Sequence, residues 1–408
     1  MVESAAVSQI SAMPPPLPLP YHRDAVRYLK RHEPELWAWA SSASVRGAAA
    51  EELRAEMLKT NYRLDAQGHP ELLAQCALVA ERMEVTAPVT MYQSTAGAGM
   101  NACLCFFPGE VHIVFSGPIL ATLKEQELSA VLAHELAHYR LWEIENGDFL
   151  VADRLLSAAA NDSRAAWSHA QTARRFQLYT EIYADRGACV GCGELDAAVA
   201  ALVKTETGLA QVSGASYLRQ AEEIFSREAA TAKGVDHPET FIRARALQLW
   251  REGDEELDSW LAATIEGPLT IDSLDLIGQG KLTALTRRFL GALLRPKWFQ
   301  TAAVLAHAKS FFTDFAPARE ADDALVSELV GLDGPTREYF CYLMLDFAVV
   351  DRELNDVPLA LAFDWAGRFE ATAVLEKLLT KELGLGKRPL AKLRKDGPAM
   401  LAKEEAVA

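Results

Sequence analysis

The run Glu125-Gln-Glu-Leu-Ser-Ala-Val-Leu-Ala-His-Glu-Leu-Ala-His-Tyr-Arg-Leu-Trp142 restricts the fold of this chain more than any other stretch. Leu128, Val131, Leu132, Leu136 and Tyr139 recur at three- and four-residue spacing, without Gly or Pro, and Lys124, Glu125 and Glu127 place polar residues at the start. The pattern predicts one amphipathic helix, mostly buried. On a helix, residues four apart lie one above the other, so His134 and His138 share a face with Glu135 beside them. Two neutral imidazole nitrogens at that spacing suit Zn²⁺, and a carboxylate next to them that is not itself a ligand suits proton transfer.

A catalytic zinc takes three protein ligands and keeps one place open for water. The stretch Tyr179-Thr-Glu-Ile-Tyr-Ala-Asp-Arg-Gly-Ala188 offers the third in Glu181. Asp185 follows four residues later on the same helical face, where it would hold a ligand histidine by its other N–H.

His134-Glu135-x-x-His138 followed by Glu181-x-x-Ala184-Asp185 resembles the M48 family of zinc metallopeptidases. Asn101-Ala102 and the apolar run after them lie where that family has its substrate-binding edge strand. Asp236-His-Pro-Glu-Thr-Phe-Ile-Arg-Ala-Arg245 is similar to the family's His-Pro segment, with Arg243 six residues after His237. The resemblance covers roughly residues 85 to 250. It implies a gluzincin-type domain in which one Zn²⁺ per chain is held by His134, His138 and Glu181. It also implies that Arg243 donates to the oxyanion, while His237 either assists or occupies the metal's fourth place in a latent state.

The remainder of the chain sets the frame. With 408 residues, half of them hydrophobic and about a quarter charged, the sequence has the composition of a globular protein of two or three domains. A net charge of −15 excludes nucleic acid as a main partner, since that requires clustered Lys and Arg. The locally basic region from Lys377 to Lys403 reads as a solvated helical face. No apolar run is long enough for an integral membrane segment, and the N-terminus lacks a secretory pattern, so the cytoplasm is the expected location. Six cysteines in so long a chain do not make a disulfide framework, and Cys189-Val-Gly-Cys192 lacks the second pair that a zinc ribbon needs.

The expected class is α+β, mostly helical. Residues 1–20, ending in Pro14-Pro-Pro-Leu-Pro-Leu-Pro20, read as a disordered proline-rich arm. Residues 21–84 read as the helical N-terminal part of the peptidase, with Trp37 and Trp39 in its core. The metallopeptidase core follows over 85–255. Its runs Val85–Gln93, Asn101–Phe107 and Val111–Ser116 predict a small antiparallel sheet, with a hairpin turn at Phe107-Pro-Gly-Glu110. Gly97, Gly99 and Asn101 are consistent with a backbone left open at a sheet edge. Residues 270–408 read as an all-helical domain; Tyr339–Asp351 and the acids Asp346, Asp351 and Asp356 loosely resemble the TerB-like helical domain, and acidic helix caps account for the same residues.

The expected activity is that of a zinc metalloendopeptidase acting on a protein or peptide substrate through zinc-activated water, with Glu135 as general base. The alternative is a latent or inactive peptidase fold that binds a protein partner through its helices.

Overall fold

The computed structural model describes residues 13–42, 50–95, 99–227 and 230–407. Contacts divide the chain into two compact units, Met1–Gly267 and Pro268–Ala408.

The first unit opens with helices α1 (Pro20–His32), α2 (Pro34–Ala40) and α3 (Ala50–Thr60), then strand β1 (Asn61–Arg63) and helix α4 (Pro70–Arg82). Strands β2 (Val89–Ser94), β3 (Asn101–Phe107) and β4 (Glu110–Ser116) follow, and the rest is helical: α5 (Ile119–Thr122), α6 (Glu125–Glu143), α7 (Asp148–Ala160), α8 (Trp167–Cys192), α9 (Leu195–Thr207), α10 (Gly214–Arg227), α11 (Thr240–Glu252) and α12 (Leu257–Leu261). Helices α1, α2 and α4 each begin on a proline, whose missing N–H costs nothing in a first turn.

The sheet is mixed, not antiparallel. Its order is β1-β2-β4-β3, with β2 and β4 parallel and the other two pairs antiparallel. The chain reverses twice between β2 and β4, and β4 inserts beside β2, so the two must run the same way. The hairpin joins β3 to β4 through Gly109, whose φ of 77° suits glycine. This topology makes β4 one of the two inner strands, with Val111, Ile113 and Phe115 fully buried, and leaves β3 at an edge. Gly97 lies outside the described residues, as do residues 1–12.

The proline-rich end of the supposed arm is packed. Pro15, Pro16, Pro18 and Leu19 are buried, and Arg140 of α6 donates to the Pro16 carbonyl at 3.3 Å. An extended prolyl run has already lost most of its chain entropy, so little is lost when its rings cover a core. Trp39 departs from the expectation in the other direction, at 62% exposed, whereas Trp37 packs against Ala40, Val151 and Leu155. Residues two apart on a helix face nearly opposite ways, so α2 can bury only one of the two rings.

Helices α6 and α8 meet along a seam of small residues. A Cβ added at Gly187 would lie 2.4 Å from the Ala137 Cβ, and one at Gly191 would lie 2.1 Å from the Ala133 Cβ. These are i, i+4 pairs on both helices, and interaxial distance depends on side-chain size at such contacts. The alanines just before His134 and His138 therefore set how near α8 can bring its carboxylates.

His22 lies behind this seam, fully buried. Its Nδ1 accepts from the Leu19 N–H at 3.3 Å, and its Nε2 stands 3.1 Å from Thr180 Oγ1, which itself donates to the Phe176 carbonyl. Burial, with the Arg186 charge adding to it, pushes His22 down to about 3. The unfolded chain thus binds this proton more readily, and stability falls as pH drops below the ordinary histidine value of about 6.5. From there to pH 5, wild type is expected to lose about 2 kcal/mol that His22→Gln keeps, measured by urea unfolding at pH 7.5 and 5.0. Equal pH slopes for the two proteins would refute it.

The second unit consists of α13 (Leu276–Leu293), α14 (Ala302–Phe311), α15 (Asp323–Val330), α16 (Gly334–Ala348), α17 (Val357–Arg368), α18 (Thr372–Leu383) and α19 (Lys387–Val407). Its core centres on Phe289, Phe340, Phe347 and Phe369, all fully buried. The three acids singled out above have separate local positions. Asp346 pairs with His307 at 2.6 Å, Asp351 caps a short 3₁₀ turn through the Glu353 N–H at 3.0 Å, and Asp356 precedes α17. Among the described residues no helix is long and apolar enough to cross a membrane.

Candidate metal centre

Helix α6 contributes His134, Glu135 and His138, α8 contributes Glu181 and Asp185, the loop before α11 contributes His237, and α11 contributes Arg243. His134 Nε2 and His138 Nε2 lie 3.2 Å apart, Glu181 Oε2 is 3.6 Å from the first, and Glu181 Oε1 is 3.5 Å from the second. A tetrahedral zinc with Zn–N and Zn–O bonds of about 2.0–2.2 Å sets its ligand atoms roughly 3.4 Å apart. The two nitrogens stand near that spacing, the Glu181 carboxylate offers one oxygen to each, and the three residues form a group that could hold a metal ion.

The surrounding charges fit the same conclusion. Asp185 Oδ1 is 3.2 Å from His134 Nδ1, on the far side of the ring from the donor nitrogen. Arg243 donates from Nε and Nη2 to the two oxygens of Asp185 at 2.7 and 2.6 Å, and its Nη2 also stands 3.1 Å from Glu181 Oε2. One guanidinium thus faces two buried carboxylates, with a third carboxylate, Glu135, alongside. Burial alone would raise Glu181 and Asp185, but Arg243 and the imidazoles bonded to the two carboxylates together outweigh it and hold both below the usual carboxylate range. Burial alone would lower His134, but Asp185 and Glu181 instead raise it to about 10. Burial pushes His138 down to about 4 and leaves its ring neutral. Two imidazole nitrogens and a carboxylate gathered in one buried cleft make a donor set suited to a divalent cation.

Arg243 thus stands in the site with its guanidinium against both downstream carboxylates. Its Nε and Nη2 are engaged by the carboxylates that face the donor group. His237 Nδ1 comes within 2.9 Å of Glu181 Oε2 while its side chain stays 62% exposed, so it sits at the mouth of the site.

Glu135 is 6% exposed and belongs to the cleft without being one of the three donors. Burial pushes it up to about 8, and the Leu104 N–H of β3 works against that shift. A dication nearby would draw it down again. Asn101, Ala102, Cys103 and Leu104 of β3 form one wall of a cleft of about 560 Å³, with the metal group at its floor.

Gly187 and Gly191 were not legible as site residues, although the alternation of Ala133 and Ala137 with the histidines is a signal that a close helix must pass there. Lys204 was missed as well. It is 1% exposed and donates to Glu127 Oε2 at 2.7 Å; Glu127 in turn accepts the Lys124 N–H at 2.7 Å at the start of α6. A lone Lys on an alanine-rich helix gave no sign of a buried partner 77 residues away.

Comparison with known families gives one match: the SprT-like family model covers residues 58–149. That family is zincin-like and related to zinc metallopeptidases, and it does not single out the M48 group. The matched span runs from the end of α3 through the sheet and α6, so it includes His134, Glu135 and His138 and stops before Glu181. No curated protein and no solved structure matches the chain.

Proposed function

We propose that the first unit is a zinc-dependent endopeptidase of M48-like arrangement that hydrolyses peptide bonds in an extended polypeptide. The observation that carries this reading is the spacing of 3.2 to 3.6 Å among the nitrogens of His134 and His138 and the carboxylate oxygens of Glu181. These three residues would hold the zinc. When bound, the metal supplies Lewis acidity, lowering the pKa of water toward about 7 and polarising a carbonyl.

The chain's own groups do the rest. Asp185 takes the His134 Nδ1 proton as a hydrogen bond and fixes the ring so that Nε2 presents its lone pair. Arg243 keeps Asp185 and Glu181 ionised and in place. Glu135 accepts a proton from the attacking water and returns it to the leaving amine. The unpaired edge of β3 offers backbone N–H and C=O groups to an extended peptide, aligning the scissile bond over the floor of the cleft.

Elemental analysis of the purified chain is expected to give about one zinc per chain, as three protein ligands around an open place require. His138→Ala is expected to lose most of it. The wild type should cleave unfolded polypeptide and lose that activity on chelation. Full zinc occupancy in His138→Ala would overturn the ligand assignment; a zinc-loaded wild type that cleaves no unfolded protein would leave a metal-stabilised binding scaffold instead.

A further inference from the structure

Two of the six cysteines stand apart from the rest. Cys76, Cys189, Cys192 and Cys341 are buried, and burial raises each thiol above its usual value. Cys103 and Cys105 lie on the edge strand β3, the first exposed and the second half-buried against Met57, Tyr92, Phe107 and Val114. At i and i+2 on a strand their side chains share one face, and the Cys103 thiol donates a hydrogen bond to the Cys105 sulfur. Two strand residues span about 6.6–6.8 Å between Cα atoms, at the upper end of what a disulfide bridges. The residue between the two thiols is Leu104, whose N–H bonds to Glu135. Backbone groups of successive strand residues turn to opposite sides, so this N–H belongs to the edge that β4 leaves free, while Cys103 and Cys105 turn theirs toward Val114 and His112. A bond between the flanking sulfurs would draw their Cα atoms together and pucker the strand at Leu104.

We infer that Cys103 and Cys105 are a redox-modified dithiol: a hydroperoxide converts the pair to a disulfide, and the buckled strand then no longer presents Leu104 to Glu135 or to a peptide. The loss of hydrolysis that follows rests on reading Glu135 as the base and β3 as the peptide-binding edge; the formation of the disulfide does not. An accessible thiol beside a resolving one is the usual arrangement of such a site. The hydrogen bond from Cys103 lowers Cys105, which makes Cys105 the attacking sulfur. As thiolate it attacks one peroxide oxygen, the O–O bond breaks, and the leaving oxygen is protonated to water, with a sulfenic acid left on Cys105. Cys103 then loses its proton and attacks the Cys105 sulfur, and the S–O bond breaks to release a second water. Two thiols have given up two electrons, and one peroxide has become two waters that also carry the two thiol protons. His134, His138 and Glu181 contain no sulfur, so the metal position is untouched.

The experiment treats the full zinc-loaded chain with hydrogen peroxide, blocks the remaining thiols with iodoacetamide, and reads the tryptic peptide Met83–Lys124, which holds both cysteines and no other, by mass spectrometry. That peptide is expected to lose two hydrogens and both alkylation sites, and dithiothreitol should restore them. Hydrogen exchange at the Leu104 amide, followed in parallel, should quicken on oxidation and slow again on reduction. On a cleavable peptide, kcat/KM is expected to fall by about 10²-fold, the cost of a misplacement of about 1 Å, with zinc content unchanged and activity regained on reduction. Cys105→Ser, compared with itself before and after peroxide, should keep both its Leu104 exchange rate and its turnover. Thiols that remain alkylatable, or a disulfide joining two chains through the exposed Cys103, overturn the pairing. A disulfide within the peptide that leaves Leu104 exchange and turnover unchanged overturns the coupling and leaves the peptidase reading intact. A chain that cleaves nothing before peroxide, yet forms the disulfide and frees the Leu104 amide, supports the redox site and overturns the peptidase reading.

Discussion

Glu135→Gln is expected to keep its zinc and lose peptide hydrolysis by about 10²- to 10⁴-fold, the contribution of a positioned general base. The amide fills the space of the carboxylate, and its carbonyl oxygen can still accept the Leu104 N–H that steadies Glu135. It cannot accept a proton. Because Glu135 stands outside the donor group of His134, His138 and Glu181, metal content should stay at the wild-type level. Because the change removes a group needed only as the bond is attacked, kcat should fall with KM little altered. Elemental analysis, thermal unfolding and kcat on one cleavable peptide check the three parts separately. Zinc lost together with activity would make Glu135 a ligand, and unchanged kcat would remove it from the reaction altogether.

What could be read from the sequence was the part in which chemistry is local. The α6 helix carries its two histidines and its glutamate within five residues, so periodicity alone places them on one face. The β3–β4 hairpin was likewise legible from Pro108-Gly109 between two β-branched and aromatic runs. The parallel β2–β4 pairing was not, because strand order depends on a comparison between distant segments that no local signal encodes. The geometry that gathers the downstream carboxylates is of the same kind. Glu181 reaches the histidines because Gly187 and Gly191 let α8 approach Ala137 and Ala133, a fit between two helices that neither helix announces by itself. Arg243 illustrates the limit most directly. Its presence in the site followed from a resemblance, but its bonds to Asp185 at 2.6 and 2.7 Å are a matter of position that no local signal encodes.

Glu127 and Lys204 give the second large effect. The pair joins the first turn of α6 to α9, with Lys204 1% and Glu127 4% exposed. Removing one partner leaves the other charge buried without compensation, at a cost of about 3–5 kcal/mol, whereas exchanging both for neutral groups of similar shape is often nearly neutral. Lys204→Met is therefore expected to destabilise the first unit by about 3–5 kcal/mol, and Glu127→Gln with Lys204→Met together to recover most of that loss. Gln suits position 127 because it still accepts the Lys124 N–H that Glu127 takes at 2.7 Å. Urea unfolding of the wild type, both single variants and the double variant closes the cycle, and additive single effects would show that the two residues do not act as a pair. The same contact fixes α9 against α6. Zinc content in Lys204→Met should survive wherever the variant remains folded, because His134, His138 and Glu181 are held by the α6–α8 seam.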